Sequence, residues 1–191
     1  MAMDTNRIVL LEDEEIYAKE LQEQLLPLIA PLDIEWCSTE VVFMSNLATW
    51  ADEPPLLFIL DMMVRWADPG TAAPKQPEEV HSHFRSGIRC YRHLRKHSVF
   101  AKTPILFSTV VSTEQFQQDI PHSDLAVSVY HKARYSISDL AHTIRSYLPD
   151  VRFTKPSKHG VWKRIVDATE LKPGAFGISF NLKKAIKPDS E

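Results

Sequence analysis

Leu56-Leu57-Phe58-Ile59-Leu60-Asp61-Met62-Met63 is the stretch whose reading decides the fold. Its apolar residues run without interruption into a single carboxylate, and Pro54 and Pro55 mark a turn ahead of it. An unbroken apolar run bounded by turn residues reads as a strand covered on both faces, the pattern of a parallel sheet. Asp61 then falls at the carboxyl end of that strand, the edge where open α/β sheets place their chemistry. An Asp there can also do no more than cap the following segment. Matching groups delivered by other strands to the same edge would decide between the two.

Toward the N-terminus, Arg7-Ile-Val-Leu-Leu11 is a second short apolar run, followed at once by Glu12-Asp13-Glu14-Glu15. Ile16, Leu21, Leu25, Leu28 and Ile29 keep helical spacing until Pro31, and acidic residues suit the positive end of a helix dipole. Ile34 to Cys37 predicts an alternating strand. Thr39 to Trp50 predicts a helix capped by Ser38 or Thr39, with Glu40 close behind. After Asp61, residues 64–84 hold Pro69, Pro74 and Pro77 and little periodicity, so they predict a long loop. Ile88, Tyr91 and Leu94 restore helical spacing. Thr103 to Thr109 predicts a fourth strand ending in hydroxyls, and Ser112 to Gln118 a short helix. Leu125 to Tyr130 predicts a fifth strand leading into His131-Lys132. A last helix, capped by Ser136 or Ser138, carries Ile137, Leu140, Ile144 and Leu148 on one face and ends at Pro149. Strands alternating with helices imply a doubly wound parallel sheet with right-handed crossovers.

At 191 residues, with 44% hydrophobic and 25% charged, the chain suits one soluble domain plus an appendage. The net charge of −3 points to neither nucleic acid nor membrane, but its distribution is uneven. Residues 1–150 hold 13 Lys/Arg against 21 Asp/Glu; residues 151–191 hold 9 against 4. That shift places a boundary near Pro149, dividing a domain at 1–149 from a basic extension at 150–191. Cys37 and Cys90 form no ligand-spaced motif, and no leader or long apolar span is visible, so a reducing cytoplasm is expected.

The predicted strand ends deliver Glu12 and Asp13, Asp61, Thr109 and Lys132 to one edge. Clustered carboxylates raise one another's pKa unless a cation sits among them. Hard oxygen ligands with room for water suit Mg²⁺, often beside a phosphate. A carboxylate can act as nucleophile toward a phosphoryl group, and a lysine and a hydroxyl are the donors such a group requires.

With those residues in place, the chain resembles the receiver domain of two-component response regulators over roughly residues 5–148. The resemblance rests on Leu10-Leu11-Glu12-Asp13, Ile59-Leu60-Asp61-Met62-Met63, Pro104 to Thr109 and Tyr130-His131-Lys132. It implies a flavodoxin-like five-stranded sheet in the order 2-1-3-4-5, flanked by five helices. It also implies that Asp61 accepts a phosphoryl group from a histidine kinase or phosphotransfer protein. Glu12, Asp13, Asp61 and the Met63 carbonyl would then ligate Mg²⁺, while Lys132 and Thr109 meet the phosphoryl oxygens. Such a domain catalyses only its own phosphorylation and dephosphorylation. It signals to a downstream protein, or pairs as a homodimer, through its fourth helix, fifth strand and fifth helix.

The sequence departs from that family in several places. Ala133 stands where a proline in a cis peptide usually follows the lysine; a cis bond before a non-proline residue costs about 3–4 kcal/mol, so a trans bond is expected. Val129 holds the usual switch-aromatic position, and Tyr130, one place later, points to the other sheet face. Val110 replaces a small residue beside the phosphoryl site. These departures favour the alternative of a phosphorylation-independent scaffold; the retained Asp13, Asp61, Thr109 and Lys132 favour phosphoryl acceptance. A haloacid-dehalogenase-like phosphatase would need an acid two residues after Asp61, where Met63 stands. His81, His83, Cys90, His93 and His97 cluster near the third helix, and His93 and His97 share a face, but no second ligand pair completes a zinc site. Lys155, Lys158, Lys163 and Arg164 surround Trp162 without a helix-turn-helix pattern, so the extension reads as a protein-docking segment rather than a nucleic-acid binder.

Overall fold

The computed structural model describes residues 6–76, 85–112, 117–121 and 123–153. Strands β1 (Arg7–Leu11), β2 (Asp33–Cys37), β3 (Leu57–Leu60), β4 (Ile105–Thr109) and β5 (Val127–His131) form one sheet in the order β2-β1-β3-β4-β5. Every neighbouring pair is parallel. Helices α1 (Glu15–Ile29), α2 (Glu40–Asp52), α3 (Ser86–Lys96) and α4 (Ile137–Tyr147) complete the described elements, with a 3₁₀ turn at Gln117–Asp119. The sheet order is the expected one. Of the helix expected at 112–118, residues 113–116 lie outside the described residues, and its described end is that 3₁₀ turn.

Alternation along the central strands builds two cores. Val9, Leu11, Phe58, Leu60, Ile105 and Phe107 face one side, with Phe43 and Trp50 of α2 and Ile88, Tyr91 and Leu94 of α3. Ile8, Leu10, Leu57, Ile59 and Leu106 face the other, with Ala18, Leu21, Leu25 and Ile29 of α1 and Leu140 and Ile144 of α4. This is why the run before Asp61 shows no polar alternation: all of β3 is buried, and each side chain has a helix above it. Full burial of a Phe or Leu contributes about 1.5–3 kcal/mol, so β3 is a firmly anchored strand from which to hold a carboxylate.

Local signals fix the elements. Thr39 caps α2, its hydroxyl accepting from the Val42 N–H at 3.2 Å. Ser136 caps α4 through a capping box with Asp139. Ile16, taken from spacing as part of the buried face of α1, is exposed instead; the buried stripe is Ala18, Leu21, Leu25 and Ile29. Leu125 likewise lies outside β5 and is exposed, so that strand starts two residues later than expected. Residues 64–76 form no helix or strand, as their prolines require, and 77–84 lie outside the described residues. Core packing continues past Pro149, since Val151 and Phe153 lie against the α1–α4 side. The basic extension beyond Phe153 lies outside the described residues, as do His81 and His83. Among the described residues, no helix is long and apolar enough to cross a membrane.

Candidate functional site

Parallel register brings the carboxyl ends of β1, β3 and β5 to one edge. The Asp61 N–H donates to the Leu11 carbonyl at 2.9 Å, and the Lys132 N–H to the Thr109 carbonyl at 2.9 Å, so the ladder holds these tips in place. Beyond them, Glu12, Asp13 and Asp61 each present a carboxylate oxygen within 4.8 Å of the others. Lys132 Nζ reaches Glu12 Oε2 at 2.6 Å and Asp61 Oδ2 at 2.7 Å. Glu12 and Asp61 are buried, and the lysine side chain is only 13% exposed.

Burial works against each of these charges. It pushes the Glu12 carboxyl up to about 7, with Lys132 opposing the rise and Asp61 adding to it. The Asp61 carboxyl is raised for the same reason, and Lys132 again opposes. For Lys132, burial alone would lower the pKa, but Asp61 and Glu12 more than offset it and raise it above its ordinary value. The ammonium therefore stays charged between two carboxylates that resist charging.

Neighbouring groups fix the remaining orientations. The Met63 N–H donates to Asp61 Oδ1 at 3.2 Å, and the Glu14 N–H to Glu12 Oε1 at 3.2 Å. Thr109 is buried, and its hydroxyl accepts from the Val111 N–H at 3.0 Å. Val110, which stands where a small residue was expected, is exposed. The donor set of three hard carboxylate oxygens at one edge fits a Mg²⁺ ion with part of its water retained. A cleft of about 480 Å³, bordered by Asp13, Ile16, Trp36, Arg65 and Asp68, opens on the Asp13 side and gives solvent access.

The expected residues from β1, β3 and β5 thus converge. Thr109 stands at the adjacent tip of β4, joined to Lys132 through its main chain. Several participants were not legible. Arg65 binds Asp13, its Nε donating to Oδ2 at 3.2 Å and its Nη2 to the main-chain oxygen at 2.9 Å. The Tyr17 ring covers the Lys132 ammonium at 4.5 Å, and the Trp36 indole N–H donates to the Glu12 carbonyl at 2.7 Å. Gly87 lets α3 approach the acceptor: a Cβ there would stand 2.4 Å from the Asp61 carbonyl oxygen. Only Gly87 had a recognisable signal, a glycine in the first turn of a periodic helix.

The departures after β5 take the expected form. Among the described residues the one cis peptide is Ala30–Pro31, so Lys132–Ala133 is trans. Val129 packs on the α2–α3 side and Tyr130 on the α1–α4 side. The Tyr130 hydroxyl donates to the Tyr135 carbonyl at 2.8 Å. His93 is exposed, His97 stacks on Phe100 at 4.7 Å, and Cys90 is buried. No metal-capable group forms there among the described residues.

No protein-family model matches the chain, and no curated protein is significantly similar. Solved structures do match. The signal receiver domain of a DNA-binding response regulator from Colwellia psychrerythraea 34H has a TM-score of 0.55 at 15% identity, covering 75% of this chain and 98% of that one. A signal receiver domain of a two-component histidine kinase from Clostridium thermocellum gives 0.54 at 20% identity, with 76% and 98% covered. The phosphorylated cyanobacterial phytochrome response regulator RcpA gives 0.51 at 17% identity, with 78% and 98% covered. Strand order, helix layers and these matches agree: the described residues have the fold of a signal receiver domain.

Proposed function

We propose that the chain is a phosphorylation-controlled signalling module that accepts a phosphoryl group on Asp61 from a phosphohistidine of a histidine kinase or phosphotransfer protein. The observation that carries this reading is the contact of Lys132 with Asp61 at 2.7 Å, at the edge where Glu12, Asp13 and Asp61 converge within 4.8 Å. An Asp61 carboxylate oxygen attacks phosphorus as the P–N bond breaks, and the electron pair leaves with the imidazole, which takes up a proton. Lys132 and Thr109 supply donors to the transferred oxygens, and the Met63 N–H holds the oxygen of Asp61 that does not attack. Glu12, Asp13 and Asp61, with the Met63 carbonyl, would hold Mg²⁺, which supplies charge neutralisation for phosphoryl transfer. The new group carries about −1.5 to −2 charges at neutral pH, which displaces the present balance around Lys132.

The domain acts in the cytoplasm and passes its signal to a downstream protein; on this reading its only catalysis is its own phosphorylation and dephosphorylation. That phosphorylated RcpA shares the fold supports the chemistry. A second reading, a scaffold that binds partners without phosphorylation, is favoured by the Tyr130–Tyr135 hydrogen bond, which ties down the aromatic nearest the switch position. Titration with acetyl phosphate or beryllofluoride in the presence of Mg²⁺ separates the two. Saturable modification that disappears in Asp61→Asn supports the acceptor; no reaction in the wild type leaves the scaffold.

A further inference from the structure

The two cations of the site divide its carboxylates between them. Lys132 takes Glu12 and Asp61. Arg65 takes Asp13, and nothing in the proposed transfer uses it. Its charge therefore rests on the one clustered carboxylate that Lys132 leaves free for an ion.

We propose that Arg65 is an internal competitor of the divalent cation: it holds Asp13 while the ion is absent, lowers the affinity of the site, and passes to Asp68 when the ion binds. The inference rests on the Mg²⁺-dependent reading above and concerns its regulation. Arg65 Nε donates to Asp13 Oδ2, so the guanidinium neutralises charge that the ion would use. A monovalent cation left beside a divalent one also repels it.

The guanidinium, which also donates through Nη2 to the Asp13 main-chain oxygen at 2.9 Å, is not the sole support of the Asp13 carboxylate. The main-chain N–H of Arg65 reaches the same Oδ2 at 3.3 Å. The Arg65 and Trp66 carbonyls accept from the N–H groups of Glu40 and Val41 at 3.0 and 2.9 Å, which pins this backbone to the start of α2. The side chain can leave while the loop stays. It also has a destination, because Arg65 Nη1 already stands 3.8 Å from Asp68 Oδ1. With the Arg65 side chain 40% exposed, the exchange needs no unpacking.

The experiment is calorimetric titration of MgCl₂ into the full-length protein, stripped of metal, at low salt. Arg65→Ala should bind Mg²⁺ roughly three- to tenfold tighter, the scale of a partly exposed, charge-assisted pair, and the gain should shrink as salt screens it. Asp68→Asn should weaken binding in the wild-type background and have little effect alongside Arg65→Ala, since the coupling runs through the arginine. Arg65→Ala affinity equal to or below wild type overturns the competition. An equal effect of Asp68→Asn in both backgrounds overturns the hand-over to Asp68. If neither wild type nor Arg65→Ala binds Mg²⁺, the metal-dependent function falls, and this inference with it; if both bind equally, only the role of Arg65 falls.

Discussion

Lys132→Met tests whether one ammonium holds the site together. The substitution keeps an apolar stem under the Tyr17 ring, 4.5 Å from Nζ, and removes only the charge. Two contacts vanish, at 2.6 Å to Glu12 and 2.7 Å to Asp61, and both carboxylates are buried. Breaking a buried pair by deleting one partner costs about 3–5 kcal/mol, because the charge left behind is uncompensated. Protonation can relieve that cost. Glu12 has a folded-state pKa raised to about 7 from 4.5, so the folded protein binds more protons than the unfolded chain between those values. Stability through Glu12 is therefore full below about pH 4.5, declines as pH rises toward 7, and levels off above.

Without Lys132, the lowering influence on both carboxyls is gone and both pKa values rise further. The decline then extends to higher pH, with a slope of about 1.4 kcal/mol per pH unit for each extra proton held. Thermal unfolding followed by circular dichroism, in chelator, should show Lys132→Met melting roughly 10 °C below wild type near pH 8, from about 2–4 °C per kcal/mol. The gap should narrow to less than half near pH 6. Equal melting temperatures near pH 8, or a gap that ignores pH, would refute the reasoning.

Other substitutions probe single contacts. Gly87→Ala places a methyl 2.4 Å from the Asp61 carbonyl oxygen and should cost about 2–3 kcal/mol in denaturant unfolding; Gly70→Ala, at φ +79 with nothing within 4 Å, should cost about 1 kcal/mol. Asp124 accepts from Arg95 and Tyr91, and these bonds hold its carboxyl below the ordinary value despite burial. Its contribution is thus present above the ordinary carboxyl range and lost as pH falls through the lowered value. Asp124→Asn should destabilise by about 1.5–3 kcal/mol near neutrality and by progressively less below about pH 3.8. Tyr130→Phe removes the bond to the Tyr135 carbonyl and should cost about 1 kcal/mol, while phosphoryl acceptance from acetyl phosphate stays within twofold of wild type.

How far the sequence reached depended on the kind of contact involved. β3 was legible because burial on both faces forces an unbroken apolar run, and a period of two on neighbouring strands then sorts Val9 from Leu10 and Val129 from Tyr130. Asp13, Asp61 and Lys132 were legible because each directly follows, or nearly follows, the strand that carries it, and parallel strands share one outlet. Arg65 obeys no such rule. It lies in a segment with no period, and its partner is 52 positions away. Only the folded path of the loop, held by the start of α2, sets it on Asp13. Tyr17 failed for another reason: on α1 it reads as one more amphipathic position, and its use as a cover for Lys132 depends on a contact between residues 115 positions apart, which no local pattern encodes. Ile16 misleads in the opposite direction: it is apolar and at helical spacing yet exposed, while Ala18, smaller and less conspicuous, is the one that packs. Strand-borne chemistry is therefore readable from local pattern, whereas the cation that moderates it, being loop-borne, is visible only once the chain is folded.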